Sequence, residues 1–218
     1  MSAPVPTSLP ALVDRAEALL DRSDRVVLGI TGAPGAGKST LGELLLPRLR
    51  DSLGPEAVGH LPMDGFHLAD VQLDRLGRRD RKGAPDTFDV DGYVAALRRL
   101  YDPDRTLYAP GFERDLEQPL AAAIAIPPSA RLVVTEGNYL LLPGDGWKHV
   151  RPLLTEVWFA EVDDEVRRAR LVQRHEQFGK SPEAARAWVE QVDEPNARLV
   201  AATRTSSDLI VPLAPLGV

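Results

Sequence analysis

Cysteine is absent from the 218 residues, which excludes disulfides, thiolate metal sites and cysteine nucleophiles. No apolar run reaches the roughly 18–20 residues that a membrane helix requires. The opening stretch MSAPVPTSLPALVDRAEALL has no basic region ahead of its apolar part, so it does not read as a signal peptide. A cytoplasmic location and no membrane partner are therefore expected. An excess of positive charge is also missing. With 26 Lys and Arg against 32 Asp and Glu, the net charge is −6, which argues against a nucleic-acid-binding surface. Nowhere does an N-K-x-D pattern occur, and that weakens a GTPase reading. What is present suits a globular chain with a core: 44% hydrophobic and 27% charged residues. The length fits one α/β domain over 1–218.

Residues 1–10 are rich in Pro and Ser and read as loose. Apolar residues at helical spacing predict a first helix over 11–22, within an N-terminal helical extension over 1–22. Val26-Val27-Leu28-Gly29-Ile30 reads as a buried strand. Glycines follow, then a helix over about 38–50 and a second strand over 58–63 that ends at Asp64. The stretch 65–89 lacks periodicity and reads as a loop-rich insertion on the substrate side. A helix is expected over 90–101, extended chain over 107–117, and a third strand over 131–135 ending at Glu136. A fourth strand over 157–162 precedes helices over 163–178, 182–192 and 196–204, and a short fifth strand covers 209–211. Strands alternating with helices imply an α/β fold. Its centre would be a mostly parallel five-stranded sheet, covered by helices on both faces as a three-layer sandwich.

Gly32-Ala33-Pro34-Gly35-Ala36-Gly37-Lys38-Ser39, followed by Thr40, matches G-x-x-x-x-G-K-[ST] between a strand and a helix. In that setting glycines let backbone N–H groups curl around phosphates, and the helix directs its positive end at the anion. Lys38 supplies a point charge to the β- and γ-oxygens, and Ser39 is placed to ligate Mg²⁺. The motif predicts nucleotide binding and leaves the reaction open. Ligands of a parallel α/β sheet bind beyond the carboxyl ends of the strands, where Asp64 and Glu136 fall. Phosphoryl transfer needs a group for the acceptor hydroxyl proton and a carboxylate for the metal or its waters. These two acids meet those needs.

Further segments carry a family pattern: Met63-Asp64-Gly65-Phe66-His67, the run from Arg81 to Asp89, Tyr108-Ala109-Pro110-Gly111-Phe112, and Glu136-Gly137-Asn138-Tyr139. With the P-loop, in this order, the chain resembles the phosphoribulokinase/uridine kinase family of P-loop kinases, including type I pantothenate kinase and bacterial fructose-transport-system kinase-like proteins. The resemblance implies Asp64 as catalytic base and Glu136 as an acid associated with Mg²⁺. It also places Lys82, Phe88, Phe112 and Arg114 at the acceptor pocket. Uridine kinases tend to have D-S-F-Y where this chain has Asp64-Gly65-Phe66-His67. Pantothenate kinases carry E-G-L-N where it has Glu136-Gly137-Asn138-Tyr139. Neither uridine nor pantothenate is therefore the favoured acceptor, and nucleoside, pantothenate-like and sugar acceptors stay open.

Arg167, Arg170 and Arg174 are spaced to share one helix face, with Val162, Val166 and Ala169 as the packing stripe. In the resembling kinases this segment, here 163–180, is a lid. Arg170 and Arg174 are the expected catalytic arginines beside Lys38, and Arg167 is less firmly placed. His67 is placed to touch substrate, whereas His175 is read as structural. Asp193-Glu194-Pro195-Asn196 is expected to break one helix and start the next, with Asn196 a further substrate contact. The expectation is an ATP- and Mg²⁺-dependent kinase of a small hydroxylated metabolite, with a homodimer left open. The alternative is a P-loop ATPase, or an assembly or regulatory protein using the same cradle.

Overall fold

The computed structural model describes residues 8–217, so residues 1–7 of the stretch read as loose lie outside it, while Leu9 and Pro10 already open the first helix, capped by Ser8. Five strands form the central sheet: β1 (Val26–Thr31), β2 (Val58–Pro62), β5 (Leu132–Glu136), β6 (Glu156–Glu161) and β7 (Leu209–Pro212). They lie in the order β2-β5-β1-β6-β7. Every pairing is parallel, so the expected five-stranded sheet is present and is wholly rather than mostly parallel.

Each residue of β1 is buried because both faces of the sheet are covered. Val26, Leu28 and Ile30 pack with Leu41, Leu45 and Leu49, which recur along α2 (Lys38–Leu53). Leu12, Ala16 and Leu19 lie in the same layer and bring in α1 (Leu9–Ala18). Val27 belongs to the opposite layer, with Tyr93, Val94 and Leu97 of α4 (Val90–Arg99) and with Trp147. Helices on both sides of one sheet make the three-layer sandwich. Helix α1 is also tied down by charge. Glu156 is buried on β6 and accepts from Arg15 at 2.6 Å and Trp158 Nε1 at 2.7 Å, with Arg22 at 3.4 Å. A buried carboxylate is tolerable only when its oxygens are filled in this way. No helix among the described residues is long and apolar enough to cross a membrane.

Four features depart from the sequence reading. The stretch 107–117 is not merely extended: β3 (Leu107–Glu113) pairs antiparallel with β4 (Gln118–Ile126) in a separate two-stranded sheet. The loop-rich stretch 65–89 holds a two-turn helix, α3 (Asp70–Leu76), whose single buried residue, Leu73, gives no readable period. On α5 (Asp164–Gln177) the packing residues are Arg167 and Leu171, while Val166 and Ala169 are exposed. Finally, Pro195 does not break the chain. Helix α6 (Pro182–Trp188) passes through a π-turn at Val189–Asp193 directly into α7 (Glu194–Ala201). Pro195 is the second residue of α7, directly after the π-turn that carries the helical path past its missing N–H, with Glu194 N donating to Val189 O.

The strand register decides what lies at the carboxyl end. Glu136 of β5 is aligned with Ile30 of β1 on one side and with Pro62 of β2 on the other. Gly137 N donates to Ile30 O at 3.0 Å. The P-loop and Asp64 therefore leave the sheet on either side of Glu136. At about 4.8 Å per strand spacing, two spacings keep the tips of β1 and β2 within roughly 10 Å.

Candidate active site

After β1 the chain bends through Gly32, Ala33, Pro34, Gly35, Ala36 and Gly37 into the N-terminus of α2. Gly35 has φ +77°, and a Cβ there would stand 2.7 Å from Leu171 Cγ and 3.0 Å from Arg167 O. Helix α5 thus rests directly on the bend, and a side chain at this position would both strain the turn and push the helix away. Lys38 is buried, and its Nζ donates to Ala33 O at 3.0 Å, folded back over its own loop. Burial lowers its pKa to about 8, opposed by the charges of Glu136 and Asp64.

Ser39 Oγ lies 3.0 Å from both carboxylate oxygens of Glu136. Burial, and next to it the charge of Asp64, raises the Glu136 pKa. The two acids sense each other and Lys38 across one space, as the register requires. Among the described residues no group of three or more His, Asp or Glu gathers around a metal position. One hydroxyl and one carboxylate suit Mg²⁺, which keeps waters and leans on substrate phosphates for most of its ligands.

Lys38, Ser39, Asp64 and Glu136 line a cavity of about 650 Å³, and all the residues expected at the acceptor line it too: His67, Lys82, Phe88, Phe112, Arg114 and Asn196. The His67 ring stacks on Phe88 with centroids 3.9 Å apart and lies 5.2 Å from Phe112. Burial, with Lys82 assisting, pushes the His67 pKa down to about 4, so the imidazole is neutral at pH 7. Its Nδ1 is buried without a hydrogen-bond partner among the described residues. Lys82 Nζ is held by Asp70 at 2.9 Å and by Glu117 O, 5.9 Å from the centre of the Phe112 ring.

The arginines of α5 divide. Arg167 is buried, bonded to Asp164 at 2.9 Å and to Glu194. It ties α5 to α7 instead of sharing a phosphate-facing row. Arg174 lines both the 650 Å³ cavity and an adjoining recess of about 530 Å³, which Thr40, Arg114 and Arg170 also line. Arg170 reaches the recess alone.

Several cavity residues were missed by the sequence reading. Trp188, Lys180, Phe178 and Asn138 all face the cavity. His175, read as structural, does brace the fold by bonding Asp193 at 2.7 Å, and it lines the cavity as well. Its partner is 18 residues away, across a turn and a helix, so spacing offers no signal for the pair.

A parallel sheet with a glycine-lined bend running into a helix that begins with Lys38 and Ser39 defines a P-loop protein, here with two acids at neighbouring strand tips. No family model matches the chain. It is 37% identical over 180 residues to "Putative uridine kinase C227.14" of Schizosaccharomyces pombe, an overlap covering 80% of this chain and 77% of that protein. A structure described as a "putative fructose transport system kinase" from Silicibacter sp. TM1040 superposes with a TM-score of 0.82 at 35% identity, over 92% of this chain and 98% of the other. YFH7 of Saccharomyces cerevisiae shares the fold at a TM-score of 0.81 and 20% identity, over 94% of this chain and 98% of that one. The chain belongs to the uridine kinase-like family of P-loop kinases.

Proposed function

We propose that the chain transfers the γ-phosphoryl group of ATP to a hydroxyl of a small metabolite. The observation that carries this reading is that Lys38, Ser39, Glu136 and Asp64 line one cavity, Ser39 and Glu136 in contact and Asp64 beside them. The acceptor oxygen forms a bond to the γ-phosphorus as the bond from that phosphorus to the β-bridging oxygen breaks. The hydroxyl proton goes to Asp64, and ADP leaves. Lys38 swings from Ala33 O to the phosphate oxygens, and the P-loop amides grip the β-phosphate. Ser39 and Glu136 would hold Mg²⁺, which neutralises charge on the β- and γ-phosphates when bound. Arg170 and Arg174 face the same phosphates from α5, where they offset charge on the transferred group. On the acceptor side, neutral His67, Phe88 and Phe112 form an apolar wall, with Lys82, Arg114 and Asn196 as polar contacts. A coupled ADP-release assay over hydroxylated metabolites tests this. Release should be slow with protein and ATP alone and rise to the order of 1–100 s⁻¹ with the acceptor, and Lys38→Ala should abolish the rise. Equal release with and without every acceptor would sink the reading.

The low Lys38 pKa has a consequence for binding. Phosphate oxygens favour the charged ammonium, so they raise the pKa again when nucleotide binds. Below pH 8 the lysine is already protonated and binding moves no proton through it. Above pH 8 the free protein carries it neutral, and binding must take up a proton. ATP affinity should therefore fall as pH rises through about 8, by up to about tenfold per pH unit. Titration calorimetry in two buffers of different ionisation enthalpy should show proton uptake at pH 9 that disappears in Lys38→Met.

A further inference from the structure

One part of the cavity wall is made by the end of α5, by α6 and by the π-turn. Past α5 the chain turns at Gly179, with Gly179 N donating to Glu176 O and Lys180 N to His175 O, both at 3.0 Å. This turn lays Lys180 Nζ 4.5 Å from the centre of the Trp188 ring, where the indole face fixes a cation without neutralising it. Among the described residues no carboxylate lies within 4.0 Å of that ammonium. Asp193, the acid on this wall, is already engaged by His175. Asn196 is only 5% exposed and lines the same cavity. Among the described residues its amide makes no hydrogen bond, so its donors and acceptor are free for whatever fills the cavity.

Most other cations of the cavity have work elsewhere. Lys82 and Arg79 share Asp70, Arg174 also lines the recess beside the P-loop, where a triphosphate needs it, and Arg114 lines both spaces. Lys180 is thus a cation of this cavity without a counter-charge, held in place by the Trp188 ring. An ammonium has three donors and no acceptor, and a partly desolvated cation with no acid nearby is matched by an anion.

We propose that Lys180 and Asn196 receive an anionic group, a carboxylate or a phosphate, carried by the acceptor at the end remote from its reacting hydroxyl. The inference rests on the kinase reading and narrows it: the acceptor is a hydroxylated acid, not a neutral nucleoside or free sugar. The test uses the full chain, ATP and Mg²⁺ with matched acceptor pairs: pantothenate against panthenol, gluconate against glucose, uridine monophosphate against uridine. At least one acidic member should exceed its neutral partner about tenfold or more in kcat/KM, and whether carboxylates or phosphates lead identifies the group. For that acceptor, Lys180→Met should raise KM by about 10–100-fold with kcat within about threefold, the range for a lost charged contact. Lys180→Arg should recover most of the loss, and Asn196→Ala should raise KM in the same sense. If neutral members are used as well as acidic ones, or Lys180→Met leaves KM unchanged, this proposal falls while the kinase reading stands. If no acceptor of either kind accelerates ADP release, both fall together.

Discussion

Asp64→Asn should lower kcat by about 10²–10⁴-fold, the usual worth of a positioned general base, while ATP affinity changes by less than about threefold. The substitution keeps the size of the side chain and its place in the turn after β2, and removes only the ability to take a proton. Two further effects come from the electrostatics. The Asp64 charge helps raise the Glu136 pKa and helps hold Lys38 protonated. Without it, Glu136 ionises more readily and Lys38 less so, and the pH at which nucleotide binding begins to take up protons should move below 8. Steady-state kinetics with the acceptor, together with calorimetry of ATP binding, separate the two. A kcat within tenfold of the parent, measured on a proven acceptor, would remove Asp64 as the base. Unchanged kcat with a shifted binding profile would leave it a purely electrostatic neighbour of Lys38.

What could be read from the sequence was whatever depends on local pattern. The central strands β1 and β5 are short runs buried throughout, and the P-loop is contiguous, so both are visible without a structure. Asp64 and Glu136 were visible because strand ends can be located, and the register then puts Glu136 between Ile30 and Pro62. The parts not legible depend on partners distant in sequence or on residues whose type misleads. Gln118–Ile126 is alanine-rich, which is weak strand composition, and its burial does not alternate, so the second strand of the hairpin carries no periodic signal. Arg167 looks like a surface residue by type and is buried because Glu194 and Asp164 neutralise it. The stripe expected on α5 therefore fell on Val166 and Ala169 instead of Leu171. The His175–Asp193 pair and the Lys180–Trp188 contact depend on how α5, α6 and the π-turn fold against one another, and no spacing rule supplies that.

Gly65→Ala should impair stability and turnover together, although the new group is a single methyl on a turn that could otherwise accept it. A Cβ at Gly65 would stand 2.1 Å from Pro110 O, 2.7 Å from Pro110 C and 3.3 Å from Gly111 Cα. These are backbone atoms, so no rotamer change relieves the overlap. They also lie where the register of the β3–β4 hairpin shifts between Ala109 and Gly111, which is where the hairpin bends against the turn that carries Asp64. Either the hairpin or the turn has to retreat. Forcing an extra carbon into a packed contact costs about 1–3 kcal/mol, readable as a lower urea midpoint at unchanged slope. The kinetic effect should be larger than the stability loss suggests, since a displacement of about 1 Å at a reacting group can cost on the order of 100-fold in rate. Gly42→Ala makes the control. It lies inside α2, a Cβ there meets nothing within 4 Å, and replacing glycine within a helix should add up to about 1 kcal/mol. Opposite signs for the two substitutions would locate the defect in the contact between turn and hairpin and not in the loss of glycine as such. A Gly65→Ala protein with parental kcat would show that Asp64 does not depend on that contact for its position.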